Sequence, residues 1–276
     1  MSETPNRPKQ RTDAESIITD AQRRRRLGAS FAVDQSVIEA REYDAVRPRY
    51  PEATVEQILG LTQTRPPTVV ELGAGSGILT RELLARGAEV HAVEPSEPMS
   101  TVLAETAAGL KGTLHLHRTS AEQTGLPDGV ADVVVAGQAW HWFDPETVQP
   151  EVARIAAEGA SLAIAGNFLN TEHEWVHRLA RILRAGDVYR PGWQPPLDQR
   201  YFGPVETNEQ RWSRPVTPEE IIRLAATLSS WLAADDAERA TRRDNLTWYL
   251  YEHLGHAPGE QIELPYITVL HTAPLR

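Results

Sequence analysis

Val69-Val70-Glu71-Leu72-Gly73-Ala74-Gly75-Ser76-Gly77-Ile78-Leu79-Thr80 joins a buried strand to a glycine-rich turn and then to a helix. Three glycines on alternate positions remove every Cβ from one side of the turn. Backbone there can approach a ligand closely and take up positive φ without strain. A helix opened by Ser76 or Gly77 would point its free N–H groups back at that ligand. A nucleotide-like cofactor is the expected guest.

Outward from the turn, strand-like and helix-like segments alternate between Thr68 and Gly166, as in stacked strand-helix units around a parallel sheet. Strands are expected at Thr68–Leu72, Glu89–Val93, Thr113–His117, Ala131–Ala136 and Ser161–Ala165. Two intervening helices carry start signals. Asp144 places an N-cap before Pro145 at the first helical position, and Ser96 caps the helix that follows Pro95. Right-handed crossovers would set helices on both faces and leave a ligand crevice at the carboxyl ends of the strands. Two further strands, near Pro204–Trp212 and Gln261–Leu270, complete the expected fold. The class is α/β, a Rossmann-like, doubly wound, mostly parallel seven-stranded sheet with an N-terminal helical lid and a C-terminal insertion.

The chain divides accordingly. Residues 1–15 are polar, without apolar periodicity, and are expected to be a disordered tail. Residues 16–65 form a helical lid segment, helical from Ala32 to Leu61 except where Pro48 and Pro51 force an extended link, with a second helix over Glu52–Leu61. Residues 66–170 are the core, and 171–276 complete the sheet and wall the substrate pocket. In that last part Thr171–Arg184 reads as a helix and Val188–Gly203, rich in Pro, Gly and aromatics, as a long loop or lid. Thr217-Pro218-Glu219-Glu220 is a capping box, and helices follow to about Leu254.

Composition narrows the function. The chain has 276 residues, 41% of them hydrophobic, enough for a substantial core. It contains no apolar run near the roughly 18 residues of a membrane span, and its first residues do not resemble a secretory signal, so a cytoplasmic protein with no membrane partner is expected. With no cysteine, disulfides, thiol nucleophiles and cysteine-bound zinc are excluded. The nine histidines are read as holding no close His-x-x-x-His pair with a carboxylate, so no metal is expected. A net charge of −10 argues against a nucleic-acid partner and for a small-molecule substrate. The Arg23–Arg26 block reads as a solvated charge run.

Gly73, Gly75 and Gly77 give G-x-G-x-G, with Ile78 where a dinucleotide fingerprint wants its third glycine. Two acids flank the pattern. Glu94 ends the second strand, where a carboxylate accepts both ribose hydroxyl protons. Glu71 sits across the turn, where an ammonium group would find it and a pyrophosphate would be repelled. With Glu94-Pro95-Ser96 and Thr119-Ser120-Ala121-Glu122, this set resembles the class I S-adenosylmethionine-dependent methyltransferases over about residues 40–170. The resemblance implies S-adenosylmethionine as cofactor, S-adenosylhomocysteine as product, and no metal. It implies that Glu71 and the turn Gly73, Ala74, Gly75, Ser76 and Gly77 contact the methionine moiety, Glu94 the ribose, and Glu122 with Ser120 and Ala121 the adenine. Glu122 also reads as an exposed acid on a short helix, and Met99 as core packing as readily as adenine contact.

Gly137-Gln138-Ala139-Trp140-His141-Trp142-Phe143-Asp144 follows the fourth strand directly, at the crevice where an acceptor would approach. Gln138 is placed with the cofactor contacts, and Trp140 and Trp142 with the substrate, although such aromatics also serve as core. His141 is the candidate base, with a structural histidine as the alternative. Together with Tyr43-Asp44, Arg47-Pro48 and Tyr50-Pro51, the aromatic run is similar to the trans-aconitate methyltransferase-like, small-molecule branch of the family. That similarity implies a lid carrying Tyr43 over the cofactor and methylation of a carboxylate or hydroxyl oxygen. Arg47, Arg49 or Arg190 would orient an anionic acceptor, and Trp193 would wall its pocket, with packing against the helices as an equal alternative. A nicotinamide oxidoreductase, an RNA methyltransferase and a non-catalytic cofactor-binding protein are the alternatives.

Overall fold

The computed structural model describes residues 36–184 and 189–276. The 1–15 tail, the Arg23–Arg26 block and the start of the Ala32–Leu61 helical reading lie outside the described residues. Helices α1 (Val37–Val46) and α2 (Glu52–Leu59) lead into β1 (Thr68–Leu72), α3 (Ile78–Ala85), β2 (Glu89–Val93), α4 (Glu97–Ala107), β3 (Thr113–His117) and β4 (Ala131–Gly137). After a 3-10 turn at Trp140–Trp142 come α5 (Pro145–Ile155), β5 (Ala156–Leu169), α6 (Glu174–Leu183), β6 (Glu206–Val216), α7 (Pro218–Ala226), α8 (Ser229–Leu232) and α9 (Asp236–Thr247). A π-helical turn, Trp248–His253, precedes β7 (Ile262–Pro274).

The strands form one seven-stranded sheet in the order β3-β2-β1-β4-β5-β7-β6. β7 pairs antiparallel with both β5 and β6, and the remaining pairs are parallel. The order reverses between β1 and β4, which places the ligand crevice at the carboxyl ends of those two strands. Val69 and Val70 of β1 and Val133, Val134 and Val135 of β4 are fully buried, as strands covered on both faces require.

Local chemistry sets the element ends. Ser36 and Glu39 form a capping box on α1, and Thr217 with Glu220 forms the one read from the sequence. Ser96 and Asp144 cap α4 and α5 with their side chains. Four strands run beyond their sequence-based limits, β4 by the single residue Gly137. β5 starts at Ala156, where it already pairs with Ala131, and continues past Ala165 because β7 offers a long antiparallel partner through Leu169. β6 begins at Glu206 and carries Pro215, which an edge strand tolerates because it lacks an outer neighbour to receive the missing N–H. β7 continues to Pro274. Two helices are shorter: α2 stops at Gly60 and α6 begins only after His173.

The C-terminal helices build a second apolar cluster from Leu179, Ile221, Leu224, Trp231, Leu246, Tyr249 and Leu250, which also takes in Val46 of α1. The 189–203 stretch is pinned rather than loose. Tyr189 packs on Ile267 and Val269, and Gln149 of α5 holds the Pro196 carbonyl and the Asp198 amide. Among the described residues no helix is long and apolar enough to cross a membrane.

Candidate active site

The glycine turn closes onto the end of β2. Gly73 and Ala74 donate their N–H groups to the Val93 carbonyl at 2.9 and 3.1 Å, Gly77 donates to Ala74 O at 3.0 Å, and Gly75 donates to Glu94 Oε2 at 2.8 Å. These four amides are engaged within the turn and its neighbouring strand end. The strand-end carbonyl of Val93 takes two of them, the Ala74 carbonyl one and the buried Glu94 carboxyl one. Ser96 N–H donates to the other oxygen, Oε1, at 2.8 Å. Each Glu94 oxygen thus keeps one lone pair facing outward. Burial raises the Glu94 carboxyl above its usual range, against the lowering effect of the Ser96 and Gly75 amides.

Glu71 is 1% exposed and accepts a hydrogen bond from Thr80 Oγ1 at 2.5 Å. Burial is the largest influence on it, opposed by the Thr80 bond, and its pKa is raised to about 8. The carboxyl is therefore mostly protonated at neutral pH.

A cavity of about 200 Å³ lies over this turn. Glu71, Gly73, Ala74, Gly75, Ser76, Glu94, Pro95, Met99, Gln138, Tyr43, Arg47, Trp142 and Phe143 all line it. Met99 lines the cavity and is also buried against Ala40 and Val102, as its core-packing reading expects. Gly77 does not reach the lining; it is the left-handed N-cap of α3 and packs on Leu103. Ser96 also stays outside and acts through its bond to Glu94. The adenine assignments are not brought to the cavity. Ala121 is buried under Val70, Leu72 and Val93, Ser120 is exposed, and Glu122 accepts the Asp144 amide at 3.1 Å.

Sequence reasoning missed three contributors. Tyr50 and Asn167 line the cavity, and Asp44 braces α1 against the glycine turn. The Asp44 carboxylate accepts from Arg81 at 2.7 Å and from Ser76 Oγ at 2.8 Å, while Arg81 also holds the Ser76 carbonyl and Thr106. This ties α1 to the glycine turn. Asn167 lay beyond the expected end of β5, although a lone amide in an apolar strand was a signal. It accepts from Thr268 at 2.5 Å and donates to the Arg49 carbonyl, while its own carbonyl takes Gln138 Nε2. Gln138 itself sits at φ +56.

Trp140, His141 and Trp193 line a second cavity of about 320 Å³, which shares Gln138, Ala139 and Phe143 with the first. Trp193 meets His271 edge to face at 5.7 Å. Trp140 and Phe143, edge to face at 6.0 Å, also pack on the core beneath, as the core reading of the aromatic run expects. His141 lies 4.4 Å from the Trp142 ring, centroid to centroid. Of the arginines considered for an anion, Arg47 reaches the first cavity, where its guanidinium lies over Tyr43 and donates to the Thr227 carbonyl. Arg49 and Arg190 line neither.

A methyltransferase-domain family model matches residues 70–164. An uncharacterized methyltransferase of Mycobacterium tuberculosis is 35% identical over 234 residues, covering 84% of this chain and 92% of the relative. The chain belongs to the class I S-adenosylmethionine-dependent methyltransferases. An uncharacterized methyltransferase of Schizosaccharomyces pombe is 29% identical across 57% of the chain and 60% of the relative. Among solved structures, a candidate type II methyltransferase of Anaeromyxobacter dehalogenans superposes with TM-score 0.57 at 22% identity, covering 83% of this chain and 97% of that one. A methyltransferase from an antibiotic biosynthesis pathway of Anabaena variabilis gives 0.52 at 19% identity, over 79% and 96%. These two likenesses speak to the fold.

The turn glycines of this methyltransferase divide by role. A Cβ on Gly73 would fall 2.7 Å from Ala139 Cβ, whereas one on Gly75 would meet nothing within 4 Å and would occupy the cavity. Both have positive φ, worth about 1–2 kcal/mol of strain for alanine. Gly73→Ala adds overpacking of about 1–3 kcal/mol. In urea denaturation Gly73→Ala should lose clearly more stability than Gly75→Ala. In calorimetry Gly75→Ala should lose most of its cofactor affinity while staying folded. Equal destabilisation, or unimpaired binding by Gly75→Ala, would contradict this division.

Proposed function

We propose that the acid-lined cavity holds S-adenosylmethionine and that the adjoining aromatic cavity holds a small, largely apolar acceptor methylated on a hydroxyl oxygen. The observation that carries this reading is the junction of the two cavities at Gln138, Ala139 and Phe143. The residues fit the cofactor. Buried Glu71 is raised to a pKa of about 8 despite the lowering effect of Arg81 and so would gain from a cation in the cavity, Glu94 keeps an unused lone pair on each oxygen, and open space beside Gly75 admits close approach of a ligand. The engaged turn amides offer nothing to a phosphate. When bound, S-adenosylmethionine supplies an electrophilic methyl carbon on a positively charged sulfur.

The protein's part is to align that carbon with the acceptor oxygen and to exclude water, and such alignment can be worth about 7–11 kcal/mol. Among the described residues no Arg or Lys lines the aromatic cavity. This favours a neutral hydroxyl over a carboxylate, and a hydroxyl needs a base. His141 and His271 both line the cavity. Burial holds His271 below the usual imidazole range, and its Nδ1 lies 2.9 Å from Thr207 Oγ1. His141 stands nearer the shared residues in sequence and is the assigned base.

The test is methyl transfer from labelled cofactor to paired small alcohols, phenols and carboxylic acids. Labelled ether products from hydroxylated acceptors are expected. Exclusive labelling of acids would overturn the hydroxyl assignment, and failure to bind S-adenosylmethionine would overturn the cofactor assignment.

Glu71 also makes cofactor binding pH-dependent. Its carboxyl has pKa about 8 in the free protein. An ammonium group favours the carboxylate, so binding at pH 7 should release close to one proton. Affinity should rise with pH toward 8. Calorimetry in buffers of different ionisation enthalpy measures the release directly, and Glu71→Gln should abolish it. The same shift acts on stability. A carboxyl whose folded pKa lies above its unfolded value of 4.5 makes the free protein lose stability as pH rises from about 4.5 to 8.

A further inference from the structure

Outside the active site, β2 and β3 gather an unusual set of side chains. The two strands are parallel and in register, with His91 opposite His115 and Val93 opposite His117. Val90 and Ala92 point into the core, where Leu114 and Leu116 also pack. By strand alternation, Glu89, His91, His115 and His117 therefore share the opposite face. β3 is the edge of the sheet, so this face is only partly covered.

The polar atoms converge. Glu89 Oε1 lies 3.1 Å from His115 Nε2 and 3.6 Å from His91 Nε2, and one ligand atom from each of the three residues falls within 4.8 Å of the others. Zinc bonds of about 2.0–2.1 Å at tetrahedral angles set ligand atoms roughly 3.3 Å apart, between the two measured separations. His91 Nδ1 lies 3.0 Å from His117 Nε2. That contact leaves His91 Nε2 free to act as a ligand while its other nitrogen is oriented from behind, as metal-binding imidazoles usually are. The rings of His91 and His115 are stacked at 4.6 Å, and those of His91 and His117 at 5.2 Å, so all three are held side by side. Two imidazoles and one carboxylate suit a zinc-class divalent ion, with water as fourth ligand. They do not suit calcium or magnesium, which need more oxygens.

We propose that Glu89, His91 and His115 form a zinc-class binding site that clamps edge strand β3 to β2, with His117 as a positioning residue. The site is separate from the methyl-transfer chemistry and does not depend on it. It runs counter to the expectation of no metal, because its members meet across a strand pair rather than along the chain. The chain also contains His173-Glu174-Trp175-Val176-His177, a His-x-x-x-His spacing with a carboxylate that the sequence reading denied. His173 is there in extended backbone, φ −82 and ψ 123, as the N-cap of α6, and no third ligand group joins that pair among the described residues.

The experiment is a titration of tag-free, chelator-stripped protein with Zn²⁺ by calorimetry and thermal shift. Co²⁺ serves as the spectroscopic stand-in. One ion per chain, a rise in Tm and the visible band of four-coordinate cobalt are expected. His115→Gln, at the half-exposed edge, should bind at least tenfold more weakly. His117→Gln should lose about 10–100-fold through the missing orientation. A double His173→Gln, His177→Gln variant should bind as the parent does. Absence of saturable binding in the parent, unchanged binding by His115→Gln, or loss in the His173/His177 variant instead would overturn the proposal.

Discussion

Glu94→Ala should raise the dissociation constant for S-adenosylmethionine by about 10²-fold or more. The two outward lone pairs of Glu94 are available to ribose hydroxyls, and each charge-assisted bond is worth about 1.5–3 kcal/mol. The truncation also leaves the Gly75 and Ser96 amides without their acceptor, which loosens the turn itself. Repeating the calorimetric titration with an analogue lacking both ribose hydroxyls separates the two effects. The parent should bind the analogue poorly, and Glu94→Ala should bind analogue and cofactor almost equally. A full penalty for removing the hydroxyls in the variant would show that Glu94 serves the turn alone.

Asp44→Ala should have the largest effect on stability. Asp44 and Arg81 form an ion pair at 2.7 Å with side chains only 14% and 10% exposed. Removing the carboxylate leaves a nearly buried guanidinium uncompensated, at a cost of about 3–5 kcal/mol. For a domain of this size that corresponds to a fall in Tm of roughly 6–20 °C. Cofactor affinity should fall with it, because Ser76 and α1 lose their common anchor. Replacing both partners, Asp44→Leu with Arg81→Leu, should recover much of the stability but not the affinity. If the single variant melts with the parent, the pair does not hold α1 to the turn.

The core of the fold was legible in the sequence because its signals are local. β1, β2 and β3 occupy the residues read for them, and Ser96, Asp144 and Thr217 announce their helices by side-chain chemistry. What was not legible depends on partners distant in the chain. β5 extends to Leu169 because β7, about a hundred residues later, lies alongside it. The same extension brings Asn167 to the cavity. Glu71 and Glu94 could be read from their places beside the glycines, but the closing of the turn amides onto Glu94 is a tertiary arrangement. Ser120, Ala121 and Glu122 were carried over from a resemblance, and the packing of Ala121 into the core turns that loop away from the cavity. The Glu89, His91 and His115 cluster was invisible for a related reason. Alternate positions on two strands become neighbours only once the register is known.

Helix α1 is fastened from both ends of the chain. Arg41 pairs with Glu105 of α4 and Asp44 with Arg81, while Glu42 and the α1 carboxyl end are held by Arg214, Arg223 and the Thr227 carbonyl. The latter partners stand 167 to 181 residues further along the sequence. During synthesis the glycine turn and the first five strands can therefore exist well before the wall over them is secured. Closing so long a loop is slow relative to local pairing. Competence for the cofactor is consequently a late event in the life of the chain, reached only after the segment around residues 214–227 has emerged and docked.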